Sequence, residues 1–135
     1  MPARETTLLR GKPVADAVYA GLESRIAALA DRGIVPGLAA VLVGDNPASE
    51  IYVRSKTRSF ERLNLLADTI RLPAETTEEE LSALIGRLNA NDSFHGLLVQ
   101  LPLPPHLPAD RLLDRVSPQK DVDGFHPLNL GRLMA

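Results

Sequence analysis

The chain has 135 residues, about one domain's worth, with 44% hydrophobic residues, 24% charged residues and a formal net charge of -2. That balance excludes a global pull toward nucleic acid or acidic membranes, and 4% aromatic content without Trp argues against a stacking platform for single strands. The absence of Cys removes disulfides, thiolate nucleophiles and Cys-based zinc or iron–sulfur sites.

MPARETTLLRGK (1–12) shows no apolar h-region, so no secretory signal is visible. The longest apolar run, LAAVLV (38–43), is too short to span a bilayer. The expectation is a soluble cytoplasmic protein.

In chain order, Val14, Val18, Leu22, Ile26 and Leu29 draw one apolar stripe, which predicts an amphipathic helix over 14–29, stopped by Gly33 and Pro36. GLAAVLVG (37–44) is a continuous apolar run bounded by glycines, as in a strand covered on both faces. Asp45 or Asn46 can cap the next helix, and Pro47 suits its first turn, where no N–H is needed. This helix is expected to run to about Leu63. Residues 65–72 read as a second strand. Thr77 and Glu80 form a capping box ahead of Leu81, Leu84, Ile85 and Leu88 at helix spacing. GLLVQLPL (96–103) is a third strand running into prolines, 108–115 a short helix, and PQKDVDGFHPLNLGRL a loop with a last helical turn or two. Alternation of this kind predicts an α/β layered domain, a mostly parallel sheet flanked by helices. LNLGRLMA ends without a cap or polar tail, so the natural polypeptide is expected to continue.

Ligands of open α/β sheets bind beyond the carboxyl ends of the strands. GDNPAS–IYVRSK, VQLPLP and KDVDGFHP are expected there. Tyr52 and Lys56 lie at i and i+4 and share a helix face. Val53, Thr57, Phe60 and Asn64 form the neighbouring stripe, the expected core face. A lysine in a partly desolvated cleft has a lowered pKa and can do acid–base work near neutrality. The same spacing suits a Tyr packed over a solvated Lys. Gln100 is the only polar residue in LLVQLPL and must find partners, which a ligand can supply. Asp121 and Asp123 precede Gly124 and suit either a turn or a ligand-holding carboxylate. An EF-hand is excluded, because its further acidic ligands are missing. His95, His106 and His126 show no zinc spacing and read as surface or loop residues. No dinucleotide fingerprint, phosphate loop or nucleophile elbow occurs.

Three segments, VGDNPASEIYVRSK, GLLVQLPLPPHL and PQKDVDGFHPLNLGRL, together with the LLRGKPVA opening, resemble in order and spacing the bifunctional methylenetetrahydrofolate dehydrogenase / methenyltetrahydrofolate cyclohydrolase family. The resemblance implies a tetrahydrofolate-binding catalytic domain over 1–126. It implies that 127–135 start the linker helix toward a Rossmann-type domain, absent from this chain, that binds NADP. It implies that the enzyme interconverts 5,10-methylene-, 5,10-methenyl- and 10-formyltetrahydrofolate in one-carbon metabolism serving purine biosynthesis. It further implies a homodimer for the full-length enzyme, with no nucleic acid, membrane or metal involved. The fragment alone is expected to lack dehydrogenase activity. A non-catalytic folate-binding or interaction module of the same fold is the alternative.

By the family's Y-x-x-x-K motif, Lys56 is implied as the general acid/base of the cyclohydrolase step, with Tyr52 packing along the folate. By V-Q-L-P, Gln100 is implied near the reacting centre. By D-V-D-G, Asp123 is implied on the pterin and Asp121 as structural. The substrate-binding set implied is Tyr52, Val53, Arg54, Ser55, Lys56, Val99, Gln100, Leu101 and Asp123. Three positions depart from the family. Glu50 replaces a common amide and adds negative charge near the cleft mouth, and Phe60 and Asn64 replace smaller residues. Asn64 can still end the helix, because Asn tolerates the left-handed conformation.

Overall fold

A computed structural model describes residues 8–135. The segment 1–7, which holds most of the stretch read for a leader, lies outside the described residues. The chain divides into two compact units, one ending at Ile34 and one running from Val35 to Ala135.

Among its described residues the first unit holds one helix, α1 (Gly11–Ala30), three residues longer at its start than the apolar stripe predicts. It ends as expected: Gly33 takes φ 71° and donates its N–H to Ala30 O at 2.8 Å. Of the predicted stripe, Leu22, Ile26 and Leu29 are half-buried, whereas Val14 and Val18 are exposed.

The second unit is a three-stranded parallel sheet in the order β2-β1-β3, formed by β1 (Gly37–Val43), β2 (Leu66–Leu72) and β3 (Gly96–Val99). β1 is the central strand, and all seven of its residues are buried, which is why its sequence is unbroken apolar rather than alternating. Its side chains split between two cores by strand alternation. Ala39, Val41 and Val43 pack with Leu81, Leu84, Ile85 and Leu88 of α3 (Glu78–Asn89) and Leu112 of α4 (Ala109–Leu113). Leu38 and Ala40 pack with Leu98 and with Val53 of α2 (Pro47–Arg62), with Phe60 against them.

The local signals set the helix ends. Asn46 caps α2 by accepting from Ala48 N and Ser49 N at 3.0 and 3.1 Å, with Pro47 in the first turn. Asn64 takes φ 55° just past its end, as its side chain permits. The Thr77–Glu80 capping box of α3 is formed on both sides. Two spans shrink. β3 stops at Val99, not residue 103, because Pro102, Pro104 and Pro105 have no N–H for a ladder. α4 covers five residues rather than 108–115. The last helix, α5 (Pro127–Met134), is capped by His126, whose Nδ1 accepts from Leu128 N at 3.1 Å. Among the described residues no helix is long and apolar enough to cross a membrane.

Candidate functional site

Helix α2 lies on the Leu38/Ala40/Leu98 face of the sheet. Its inward stripe is Ser49, Val53 and Phe60, and Val53 is only 1% exposed. Tyr52 and Lys56 therefore fall on the flank of that stripe. Tyr52 is 64% exposed and presents its ring to solvent. One turn on, Lys56 Nζ stands 3.9 Å from Asp123 Oδ1, and both side chains are partly screened, at 38% and 29% exposure. That separation is an ion pair rather than a tight hydrogen bond, so both groups keep capacity for a ligand.

Gln100 follows β3 directly and still donates its backbone N–H to Val41 O at 2.9 Å. Two positions after Leu98, it shares Leu98's side of the sheet, the side of α2. Its Nε2 donates to Leu101 O at 2.9 Å, but its Oε1 is buried without a hydrogen-bond partner among the described residues. A buried acceptor left unpaired costs about 1–3 kcal/mol, so it marks a place where a ligand donor fits.

Not every expected residue reaches this face. The side chains of Val53 and Val99 are core, in the two opposite clusters, so only their backbone is open to a ligand. Arg54 is exposed roughly 200° around the helix from Tyr52, at about 100° per residue. Ser55 is exposed, and its carbonyl accepts from Ser59 Oγ at 3.1 Å. Leu101 contributes its carbonyl, which takes two donors. The second of these, Ser49 Oγ at 3.2 Å, is a contact the sequence reading missed. Ser49 is 2% exposed, and a hydroxyl at i−4 from the buried Val53 is the signal that could have found it. The extra charge of Glu50 is matched by Arg71 of β2, with which it forms an ion pair.

Asp121 and Asp123 divide their tasks. The Asp121 carboxylate accepts from Gly124 N (2.9 Å), Phe125 N (3.3 Å), His126 N (2.9 Å) and Asn129 Nδ2 (3.0 Å). Burial opposes its ionisation, but the Asn129 amide and these backbone N–H groups outweigh that and hold its carboxyl below the ordinary value. Asp121 is thus engaged within its own loop, while Asp123 faces Lys56.

Two concavities lie elsewhere on this unit. One of about 580 Å³ has Ile70, Leu72 and Leu84 in its wall, and one of about 450 Å³ has Gly44, Ala74 and Leu103. Tyr52, Lys56, Gln100 and Asp123 line neither. The polar side chains there include Glu80 and Asn46, which are committed to helix caps. Among the described residues no cluster of His, Asp or Glu could hold a metal ion.

Comparisons with known proteins identify the family. Residues 9–123 match the family model described as tetrahydrofolate dehydrogenase/cyclohydrolase, catalytic domain. The bifunctional protein FolD 2 of Geobacter sulfurreducens is 55% identical over 128 residues, covering 95% of this chain and 45% of that protein. A crystal structure of the bifunctional enzyme FolD, methylenetetrahydrofolate dehydrogenase/cyclohydrolase, from Campylobacter jejuni superposes with a TM-score of 0.90 at 46% identity, covering 94% of this chain and 45% of that one. The Trypanosoma brucei methylenetetrahydrofolate dehydrogenase-cyclohydrolase, complexed with NADP cofactor and inhibitor, gives 0.90 at 36% identity, covering 98% and 45%. The chain therefore spans less than half the length of the relatives it matches. It belongs to the tetrahydrofolate dehydrogenase/cyclohydrolase family, and its match is to that family's catalytic domain.

Proposed function

We propose that this chain provides the tetrahydrofolate-binding catalytic unit of an enzyme interconverting 5,10-methylene-, 5,10-methenyl- and 10-formyltetrahydrofolate. In the whole protein it acts as an NADP-dependent dehydrogenase and a cyclohydrolase. The observation that carries the reading is the meeting of Lys56 with Asp123, 3.9 Å apart, on the side of the sheet where Gln100 holds a buried unpaired oxygen.

In the cyclohydrolase step, water adds through oxygen to the methenyl carbon, an iminium-like electrophile, and gives up a proton. The carbon–N5 bond then breaks with its electron pair staying on N5, the added hydroxyl releases its own proton to solvent and becomes the formyl carbonyl, and N5 takes the proton that the attacking water gave up. Lys56 carries that proton from one atom to the other, as a positioned amine does. Asp123 accepts from the N–H edge of the pterin and fixes the methenyl carbon within reach. Gln100 Oε1 receives a donor from the ligand or the lysine, which removes its unpaired state. The exposed ring of Tyr52 offers the folate a flat apolar wall.

No Gly-rich dinucleotide fingerprint occurs in the 135 residues, so the residues present do not fit NADP. The hydride acceptor is assigned to a part of the protein outside these residues, with 1–126 as the folate-binding domain and 127–135 leading toward that part. The family homodimer, the cytoplasm and a supply of one-carbon units to purine biosynthesis belong to the same reading.

Binding tests it. The native polypeptide that carries this chain is titrated calorimetrically with 5-formyltetrahydrofolate, a stable folate, before and after Asp123→Ala. Saturable binding weakened about tenfold or more by Asp123→Ala is expected, the size of a lost charge-assisted hydrogen bond. Absence of folate binding by the native polypeptide would refute the reading.

A further inference from the structure

Asp123 sits on a segment with no helix or strand of its own to hold it. What fixes it is a set of anchors on the residues just before it. The Lys120 ammonium donates to Leu88 O at 3.1 Å and Asn91 O at 2.8 Å, at the C-terminal end of α3. Carbonyl oxygens of the last turn and the negative end of the helix dipole meet there, so a cation is doubly favoured. The Lys120 carbonyl accepts from Leu97 N at 2.7 Å, and Asp121 bridges in parallel to Leu97 of β3. Next, the Asp121 carboxylate gathers the N–H groups of residues 124, 125 and 126 together with the Asn129 amide of α5. Asn129 Nδ2 also reaches Pro118 O at 2.9 Å, which closes the loop on both sides. Residue 123 is thus suspended between a clamp on α3 and β3 and a clamp on α5.

We propose that Lys120 and Asp121 are positioning residues of the folate site: together they set where the Asp123 carboxylate stands relative to Lys56. The proposal rests on the folate reading above. Neither residue touches the substrate. Lys120 fixes the height of the segment along β3, and Asp121 fixes the turn that aims residue 123 toward α2. Asp121 uses both oxygens. Oδ1 takes Gly124 N and Phe125 N, while Oδ2 takes His126 N and Asn129 Nδ2. Asp121→Asn keeps one acceptor but places an NH₂ against two donors, so half of the turn loses its anchor.

The test is a double-mutant cycle in the native polypeptide, read as affinity for 5-formyltetrahydrofolate and as KM and kcat for methenyltetrahydrofolate hydrolysis. Urea midpoints confirm that each variant is folded under assay conditions. Asp121→Asn is expected to weaken binding and raise KM about tenfold, the scale of hydrogen bonds to a charged group. Lys120→Met, which keeps the stem and removes the ammonium, is expected to do so about threefold. In the Asp123→Ala background both substitutions are expected to add almost nothing, because the carboxylate they aim is gone. A purely structural role would lower the midpoint equally in both backgrounds without this loss of coupling. Wild-type affinity in Asp121→Asn and Lys120→Met, or losses that add fully to that of Asp123→Ala, would overturn the proposal while leaving the folate reading intact. Unchanged affinity in Asp123→Ala itself would overturn both. If Asp121→Asn does not fold, the Lys120→Met cycle alone decides.

Discussion

Gly96→Ala probes how tightly the Asp123 segment is tied to the sheet. A Cβ at Gly96 would lie 2.6 Å from Val122 Cγ1 and 3.3 Å from Leu38 Cδ1. Carbon atoms pack best at about 3.5–4.0 Å, so Val122 must withdraw by about 1 Å. Its side chain is stiff at χ1, so part of that movement passes to the backbone between Asp121 and Asp123. The cost of such overpacking is about 1–3 kcal/mol. Urea unfolding is expected to show a loss in this range, and calorimetric titration with 5-formyltetrahydrofolate is expected to show weaker binding. Val122 is 56% exposed, so Val122→Ala on its own sacrifices little packing. The double variant Gly96→Ala/Val122→Ala is therefore expected to recover most of both losses. Gly96→Ala with wild-type stability and affinity, or a double variant no better than the single one, would refute the close approach of this segment to β3.

The folded-state pKa of Asp121 is lowered from 3.8, so its contribution to stability is complete above the unfolded value and is lost as pH falls through the folded one. The stability gap between wild type and Asp121→Asn is thus expected to narrow in urea unfolding as pH drops from neutral to about 3, and a constant gap would contradict the charged cage. Ser49→Ala is expected to cost only about 1 kcal/mol in the same assay, because Leu101 O keeps Gln100 Nε2 as a donor. A cost several times larger would mean that Ser49 holds more than one carbonyl.

The layered α/β order was legible because its signals are local. Apolar runs opening on a glycine gave β1 and β3, Leu81, Leu84, Ile85 and Leu88 at helix spacing gave α3, and Asn46, Thr77 and Asn64 marked helix ends through their own side chains. Prolines after Gln100 blurred the end of β3, where hydrogen bonding stops though hydrophobicity continues to Leu103. The partly exposed α1 stripe shows the limit of periodicity, which identifies an apolar face without showing how deeply it is buried. At the candidate site, the Tyr52–Lys56 spacing was visible, yet it could not separate a working face from a solvated one. What supports the proposed working face is the arrival of Asp123 from 67 residues away in sequence, together with the unpaired oxygen of Gln100. Ser49, Lys120 and Asn129 escaped notice for the same reason. Their partners, Leu101 O, Asn91 O and Asp121, are neighbours only after folding.

The proposed role of Lys56 as proton carrier is tested most directly by methenyltetrahydrofolate hydrolysis in the native polypeptide, with and without Lys56→Met. The expected result is a loss of turnover of about 10²–10⁴-fold with folate binding largely retained, the contribution of a positioned acid–base group. Equal, background-level rates in both proteins would contradict it and leave a non-catalytic folate-binding module. Equal rates well above background would remove Lys56 from the chemistry.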